Sequence, residues 1–348
     1  MINQESIIAL RMQRQCLTAP AGKSRYEEFF RLSSPVPPVY WCCPGNPPRI
    51  YHRADFDDAL FNQERRNRHE IIKGRFQNGT IAYIEKEDLE LFIAIYRKPI
   101  KYLSSVQSLI IETFKREGPM TIRILKEMTG LLVKEITPAL HKLQTAFIVY
   151  EDQTDNEWDR GWYLFCDEFP EVDFYRYSKT EALKTVLWRF TYLNVWFDLK
   201  MVQSFYKIPE KDIAAVICDM VSGEALVDYE GGYIAKCDYQ HLSNNRYSVK
   251  PSIFVLHRND YMVKCFEHQL KDKYKNISFD VLQYILIDGE FKGTVIGKFK
   301  NGPFLLEDVI VEGEENEVAR RQADIIEAVY CVNDSDYSPL KKYNGIML

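Results

Sequence analysis

The chain has 348 residues, 46% of them hydrophobic and 27% charged, with a net charge of −5. That length supplies two or three domains with cores of their own, and an aromatic content of 14% excludes a disordered or collagen-like chain. No run of about 18 uncharged apolar residues occurs and residues 1–20 lack a signal-peptide core, so a cytoplasmic protein without a membrane partner is expected. The eight cysteines include no CxxC pair, and Cys42-Cys43 are adjacent, which suits neither a zinc site nor a spaced disulfide framework. Reduced, half-buried thiols are expected, with no metal and no cofactor.

In chain order, helices are expected over Ile7–Leu17 and Tyr26–Arg31, followed by an extended loop Ser34–Pro48 containing six prolines. A helix fits Phe56–Arg68. Ile71–Phe76, the turn Gln77-Asn78-Gly79 and Thr80–Ile84 read as a hairpin leading into a helix from Lys86 to Tyr96. Residues 104–149 carry an apolar-periodic helix (Val106, Leu109, Ile110, Phe114), a second helix from Thr121, a turn at Thr129-Gly130 and a third helix. Because an interior proline costs roughly 3 kcal/mol, Thr137 is expected as an N-cap and Pro138 as the first residue of a short third helix ending near Gln144. Phe147–Tyr150, a polar loop and Gly161–Phe165 then form a hairpin, and three helices followed by a hairpin is the winged-helix order. The pattern recurs with helices through Glu181–Phe190, Asp198–Tyr206 and Pro209–Val221, then strands Ala225–Val227 and Tyr233–Ala235 about Glu230-Gly231-Gly232.

Strands at Ile253–Leu256, Val281–Ile287, Phe291–Phe299 and Phe304–Val311, with helices Tyr261–Tyr274 and Val318–Tyr330, complete the chain. The expected fold class is α+β, with helix-rich tandem winged-helix units and a C-terminal antiparallel β subdomain. Boundaries fall at 1–98 for a winged-helix-like unit with the proline-rich loop, 101–170 and 178–240 for winged-helix units, and 250–348 for the β subdomain.

Winged helices point to duplex DNA, whereas the acidic net charge opposes nucleic-acid binding and leaves a protein partner open. Local basic clusters occur at Arg65, Arg66, Arg68, Lys73 and Arg75, and at Lys264, Lys271, Lys273 and Lys275; each also reads as a solvated helix face. Glu210, Asp212 and Asp219 make the last winged-helix unit repel phosphate, so it reads as mostly structural. There is no glycine-rich phosphate loop, HExxH or nucleophile elbow, and no pair of the six histidines has metal-ligand spacing.

Two stretches resemble the crosslink-repair DNA glycosylases of YcaQ and AlkZ type. Arg11-Met12-Gln13-Arg14-Gln15-Cys16-Leu17 is similar to that family's opening helix, and Lys73–Asp88 is similar to its basic hairpin; Leu286-Ile287-Asp288-Gly289 followed by Gly293-Thr294 is a fainter echo. The resemblance implies a tandem winged-helix DNA-repair protein that hydrolyses an N-glycosidic bond. It also implies phosphate contacts from Arg65, Arg66, Arg68, Lys73 and Arg75, with Arg49 and Arg53 nearby.

The departures weigh against catalysis. Where the family keeps a Gln-x-Gln or Gln-x-Asp pair to position water, this chain has Pro35-Val36-Pro37-Pro38-Val39, and proline side chains neither donate nor accept. Ala82 stands where the family has a hairpin histidine. Substitute candidates are Asp55, Asp57, Asp58 and Gln15, with His52 and Glu70 close by, although DFDD at 55–58 also reads as the acidic start of a helix. Tyr40 and Trp41 in the rigid loop offer stacking faces for an opened duplex, or pack as a cover on the first unit. The expectations left standing are a binder of damaged or distorted duplex DNA, a monofunctional glycosylase for alkylated or crosslinked bases, and a non-catalytic transcription regulator.

Overall fold

Asn3 opens the first helix by accepting the Glu5 N–H at 3.1 Å, and α1 then runs over Gln4–Arg14. The computed structural model describes residues 2–39, 47–152, 160–299, 304–314 and 319–348. α2 (Lys23–Leu32) and α3 (Asp58–Asn67) flank the proline-rich stretch. β1 (Ile71–Phe76) and β2 (Thr80–Glu85) pair antiparallel and lead to α4 (Leu89–Tyr96). The turn between the strands holds Asn78 at φ 67° and Gly79 at φ 90°, in the left-handed region that these two residue types enter at least cost. Val36 and Tyr83 exchange backbone bonds of 2.8 and 2.9 Å, so the proline-rich segment lies beside the hairpin, and residues 33–39 are buried there.

α5 (Ser105–Glu117), α6 (Ile122–Thr129) and α7 (Val133–Thr145) precede a second hairpin of β3 (Val149–Asp152) and β4 (Gly161–Leu164). Ser104 and Gln107 cap α5 reciprocally, and Gly130 ends α6 at φ 71°. Pro138 departs from expectation, because it lies inside α7 and not at its start. The helix begins earlier, where the Leu132 N–H donates to Glu135 Oε2 at 2.9 Å. Pro138 is tolerated because it and Lys134, whose carbonyl loses its helical donor, are both exposed, so water replaces the missing bond. This unit has a core of its own, built from Ile110, Phe114, Leu125, Ile136, Leu140, Leu143 and Trp162.

After a short α8 (Phe165–Glu168), the Ser178–Glu181 capping box starts α9 (Lys179–Asn194), followed by α10 (Leu199–Tyr206) and α11 (Glu210–Ser222). A small sheet places β7 (Gly232–Ala235) between β5 (Trp196–Phe197) and β6 (Leu226–Tyr229), and α12 (Lys236–Asn244), absent from the sequence reading, follows. One apolar cluster runs from Cys16 through Tyr26, Phe92, Phe190 and Phe205 to Cys265, so the first hundred residues and residues 179–226 share a core.

The last sheet contains β8 (Ile253–His257), β9 (Asp280–Ile287), β10 (Glu290–Lys298) and β11 (Leu305–Val311), all antiparallel. β12 (Lys342–Tyr343) joins β11 in parallel and β13 (Ile346–Met347) closes the edge, which makes the sheet mixed there. Strand alternation divides its faces. Val255, Ile285 and Val309 meet Ile325 and Val329 of α14 (Gln322–Tyr330), while Leu256, Tyr284 and Leu286 meet Met12 of α1 and Met262 of α13 (Tyr261–Lys273). At Gly289, φ 79°, an added Cβ would lie 2.2 Å from Ile8, so glycine serves both the turn and the close approach of α1. The fold is α+β.

Candidate nucleic-acid interface

The end of α3 and strand β1 carry much of the expected phosphate-binding set inward: Arg65, Arg66 and Lys73 are each at most 4% exposed. Arg65 Nη2 lies 2.6 Å from both Glu85 oxygens, and Lys73 Nζ lies 3.1 Å from Glu151. Burial lowers the Lys73 ammonium to about 8 against the opposing pull of Glu151. Arg53 is fully buried and donates to Asp260 Oδ1 at 3.0 Å and to the Gln15 carbonyl at 3.0 Å. Arg75 is half-buried and donates to Gln144 Oε1 at 2.9 Å and to the Gly79 carbonyl at 3.0 Å. Turning such a cation toward phosphate would strand its carboxylate in the interior, at a cost of about 3–5 kcal/mol. Arg53, Arg65, Arg66 and Lys73, expected at a DNA-facing surface, are thus buried in the structure, three of them against carboxylates. Arg68 and Arg49 stay partly exposed, paired with Glu70 at 2.8 Å and Asp58 at 3.0 Å. Tyr40 and Trp41 lie outside the described residues.

The substitute catalytic groups are mostly committed to holding the fold. Buried Asp58 accepts from Tyr26 Oη at 3.1 Å, Arg49 Nε at 3.0 Å and the Ile50 N–H at 2.7 Å. Asp57 caps α3 by accepting the Ala59 and Leu60 N–H groups. Gln15 is fully buried and donates to the Leu193 carbonyl at 3.2 Å, far from solvent. His52 Nε2 meets the Val255 carbonyl at 3.0 Å, and burial lowers its pKa. Asp55 alone of the four candidates is exposed with a carboxylate that makes no hydrogen bond among the described residues, its N–H donating to the Ala21 carbonyl at 3.2 Å.

At Pro37, where the water-positioning pair was sought, the chain closes on a slot of about 20 Å³ lined by Val36, Val39, Ile50, Phe205 and Tyr261. That is room for about one water. Asn259 Nδ2 donates across it to the Pro38 carbonyl at 3.0 Å, and Asp260 is occupied by Arg53 and the Met262 N–H.

A larger concavity, unforeseen in the sequence, opens between the end of α4, α10 and α13, with a volume of about 1260 Å³. Six cationic side chains line it (Arg97, Lys98, Lys179, Lys200, Lys207 and Lys271) against three acidic ones, Asp198, Glu267 and Asp272. Across α13, a second hollow of about 510 Å³ shares Glu267 and Lys271 and adds Arg258 and Lys264. Lys207, Lys264 and Lys271 approach Glu267 at 2.6, 3.1 and 3.1 Å. Burial alone would raise this carboxyl, but its lysine bonds prevail and hold it at about 2. One carboxylate answering three ammonium groups leaves the ridge cationic. Arg97, Lys98 and Lys200 make no ion pair with any described residue.

The sequence did flag Lys264 and Lys271 as a basic cluster, but their partners in the groove come from positions 97–98 and 200–207. Only the packing of α10 against α13, with the end of α4 beside them, joins them. No group of three or more His, Cys, Asp or Glu side chains able to hold a metal occurs among the described residues. Nor is any helix there long and apolar enough to cross a membrane.

No protein-family model and no curated protein matches the sequence. Among solved structures, the DNA glycosylase AlkZ of Streptomyces sahachiroi superposes with a TM-score of 0.69, covering 98% of this chain and 100% of that one at 13% identity. The fold is similar to that of a DNA glycosylase. At this identity the likeness concerns the arrangement of the chain and leaves its chemistry to its own residues. Similarity over nearly the whole length accounts for the order of helices and hairpins along residues 1–240, and for the sheet that follows.

Proposed function

We propose that the chain is a DNA-binding protein built on a glycosylase-like, tandem winged-helix scaffold, and that its DNA contact is the groove between α4, α10 and α13. The observation that carries this reading is the trio Arg97, Lys98 and Lys200, cationic and unpaired among the described residues, on the wall of a concavity in a chain of net charge −5. Lys98 and Lys200 are exposed and have no internal partner to give up, so phosphate can recruit them at little cost. Damaged or distorted DNA is the ligand class that fits an AlkZ-like arrangement, as AlkZ itself is described as a DNA glycosylase. The closed slot at Pro37 favours recognition without base release.

Fluorescence anisotropy with labelled DNA tests the reading. Lys98→Ala combined with Lys200→Ala should weaken binding and flatten its dependence on salt. Affinity unchanged by that pair would reject the groove as the contact.

A further inference from the structure

The groove is too small for a turn of double helix, and an exposed aromatic, Tyr175, adjoins Arg97 of its wall. At about 1260 Å³ it slightly exceeds the roughly 300–1,000 Å³ of pockets that enclose one drug-sized ligand, a scale that suits a few nucleotides of one strand. Arg97 on its wall lies with its guanidinium carbon 4.7 Å from the Phe174 ring centre and 5.9 Å from that of Tyr175. Phe174 packs against the core, whereas Tyr175 is 83% exposed and its hydroxyl has no partner among the described residues. Single exposed aromatics are ordinary on protein surfaces. This one is held in place: the Tyr175 N–H donates to Asp173 Oδ1 at 2.9 Å, the Asp173 N–H donates to Glu90 Oε1 at 2.9 Å, and Arg176 pairs with Glu90 at 2.7 Å. Glu90 belongs to α4, so the same helix whose end supplies the groove's cations also anchors the turn that carries the ring.

We infer that the groove binds an unpaired stretch of nucleic-acid strand, with phosphates along Arg97, Lys98 and Lys200 and a base stacked on Tyr175. This rests on the DNA-binding reading above. A paired base already has both faces covered by its neighbours, so an exposed ring carried on an anchored turn beside groove cations gains a partner only from a base outside the stack. Aromatic stacking of this kind tolerates any base, so the site would recognise an opened or frayed strand by its lack of pairing and not by its sequence.

Full-length protein is titrated against a labelled oligothymidine 12-mer, a hairpin duplex with 12 base pairs, and a 12-mer of abasic sugar-phosphate. The expected result is about tenfold tighter binding of the oligothymidine than of the duplex. Tyr175→Ala should reduce that affinity by about tenfold and leave the abasic oligomer within twofold, while Tyr175→Phe retains binding. Lys98→Ala with Lys200→Ala should weaken both single strands and lower the salt slope by about 0.7 per contact. Duplex bound as tightly as oligothymidine, or indifference to Tyr175→Ala, overturns the single-strand inference and leaves DNA binding standing. Absence of binding to all three probes removes both.

Discussion

Lys73 Nζ lies 3.1 Å from Glu151 Oε2, with each side chain only 4% exposed, and this buried pair fastens the first hairpin to the second. Arg160 reinforces it, with Nη1 2.7 Å from Glu151 Oε1. Removing one member of such a pair leaves an uncompensated interior charge, which costs about 3–5 kcal/mol, whereas replacing both by apolar groups of similar volume is close to neutral. Glu151→Gln should therefore lower the urea midpoint markedly, and Lys73→Met with Glu151→Leu should recover part of the loss, Arg160 being left to solvent without its carboxylate. Equal damage in the single and double variants would contradict the assignment.

The slot at Pro37 has a consequence for chemistry. A glycosylase must hold an attacking water and admit the extruded nucleotide, and among the described residues the slot at Pro37, about 20 Å³, has room for about one water. Base release from alkylated duplex DNA, measured under single-turnover conditions with excess protein, should not exceed the uncatalysed background. Release well above it would restore the catalytic reading, and Asp55→Asn would then be the first variant to make, because Asp55 alone of the candidate carboxylates is exposed and unengaged.

The hairpin at 71–85 was legible because Asn78-Gly79 announces a left-handed turn between alternating strands. The direction of its basic side chains was not legible. Lys73 reads as surface until the second hairpin supplies Glu151 from 78 positions further along, and Arg53 likewise finds Asp260 only through the packing of α13. Pro138 misled for a related reason, since its harmlessness within α7 depends on solvent at the Lys134 carbonyl and not on any local signal. Charge clusters read along the chain cannot distinguish a solvated face from one half of a buried pair.

His257 gives the fold an acid sensitivity. Its ring stacks on Phe304 with centroids 5.8 Å apart, and Nδ1 accepts the Asn259 N–H at 3.0 Å. Burial, with Arg258 and Lys264 adding repulsion, lowers its pKa to about 3. The group is neutral when folded and gains a proton on unfolding below its ordinary value of about 6.5. Its contribution is thus complete above about pH 6.5 and is lost as pH falls toward 3. Between pH 7 and 4.5 the loss amounts to about 2–3 kcal/mol at 1.36 kcal/mol per unit. His257→Gln should narrow the gap between urea midpoints at the two pH values; a gap as wide as in the parent chain would assign the acid effect to other groups.

The salt dependence of DNA binding discriminates between the two basic regions. Every phosphate contact releases counterions and adds about 0.9 to the log–log slope for duplex DNA, so the slope counts contacts independently of sequence. Arg68→Ala and Arg75→Ala remove charges engaged by Glu70 and by Gln144 with Gly79, and neither should change the slope, although the second should cost some stability. Lys98→Ala and Lys200→Ala remove charges that no described residue neutralises, and together they should lower the slope for a single strand by about 1.4 units, at about 0.7 per contact. Glu267→Gln supplies the opposite sign. It frees Lys207, Lys264 and Lys271 from their shared carboxylate, so affinity at low salt and the slope should both rise. A slope that responds to the Arg68 and Arg75 variants but not to the groove variants would move the interface back to the first hairpin.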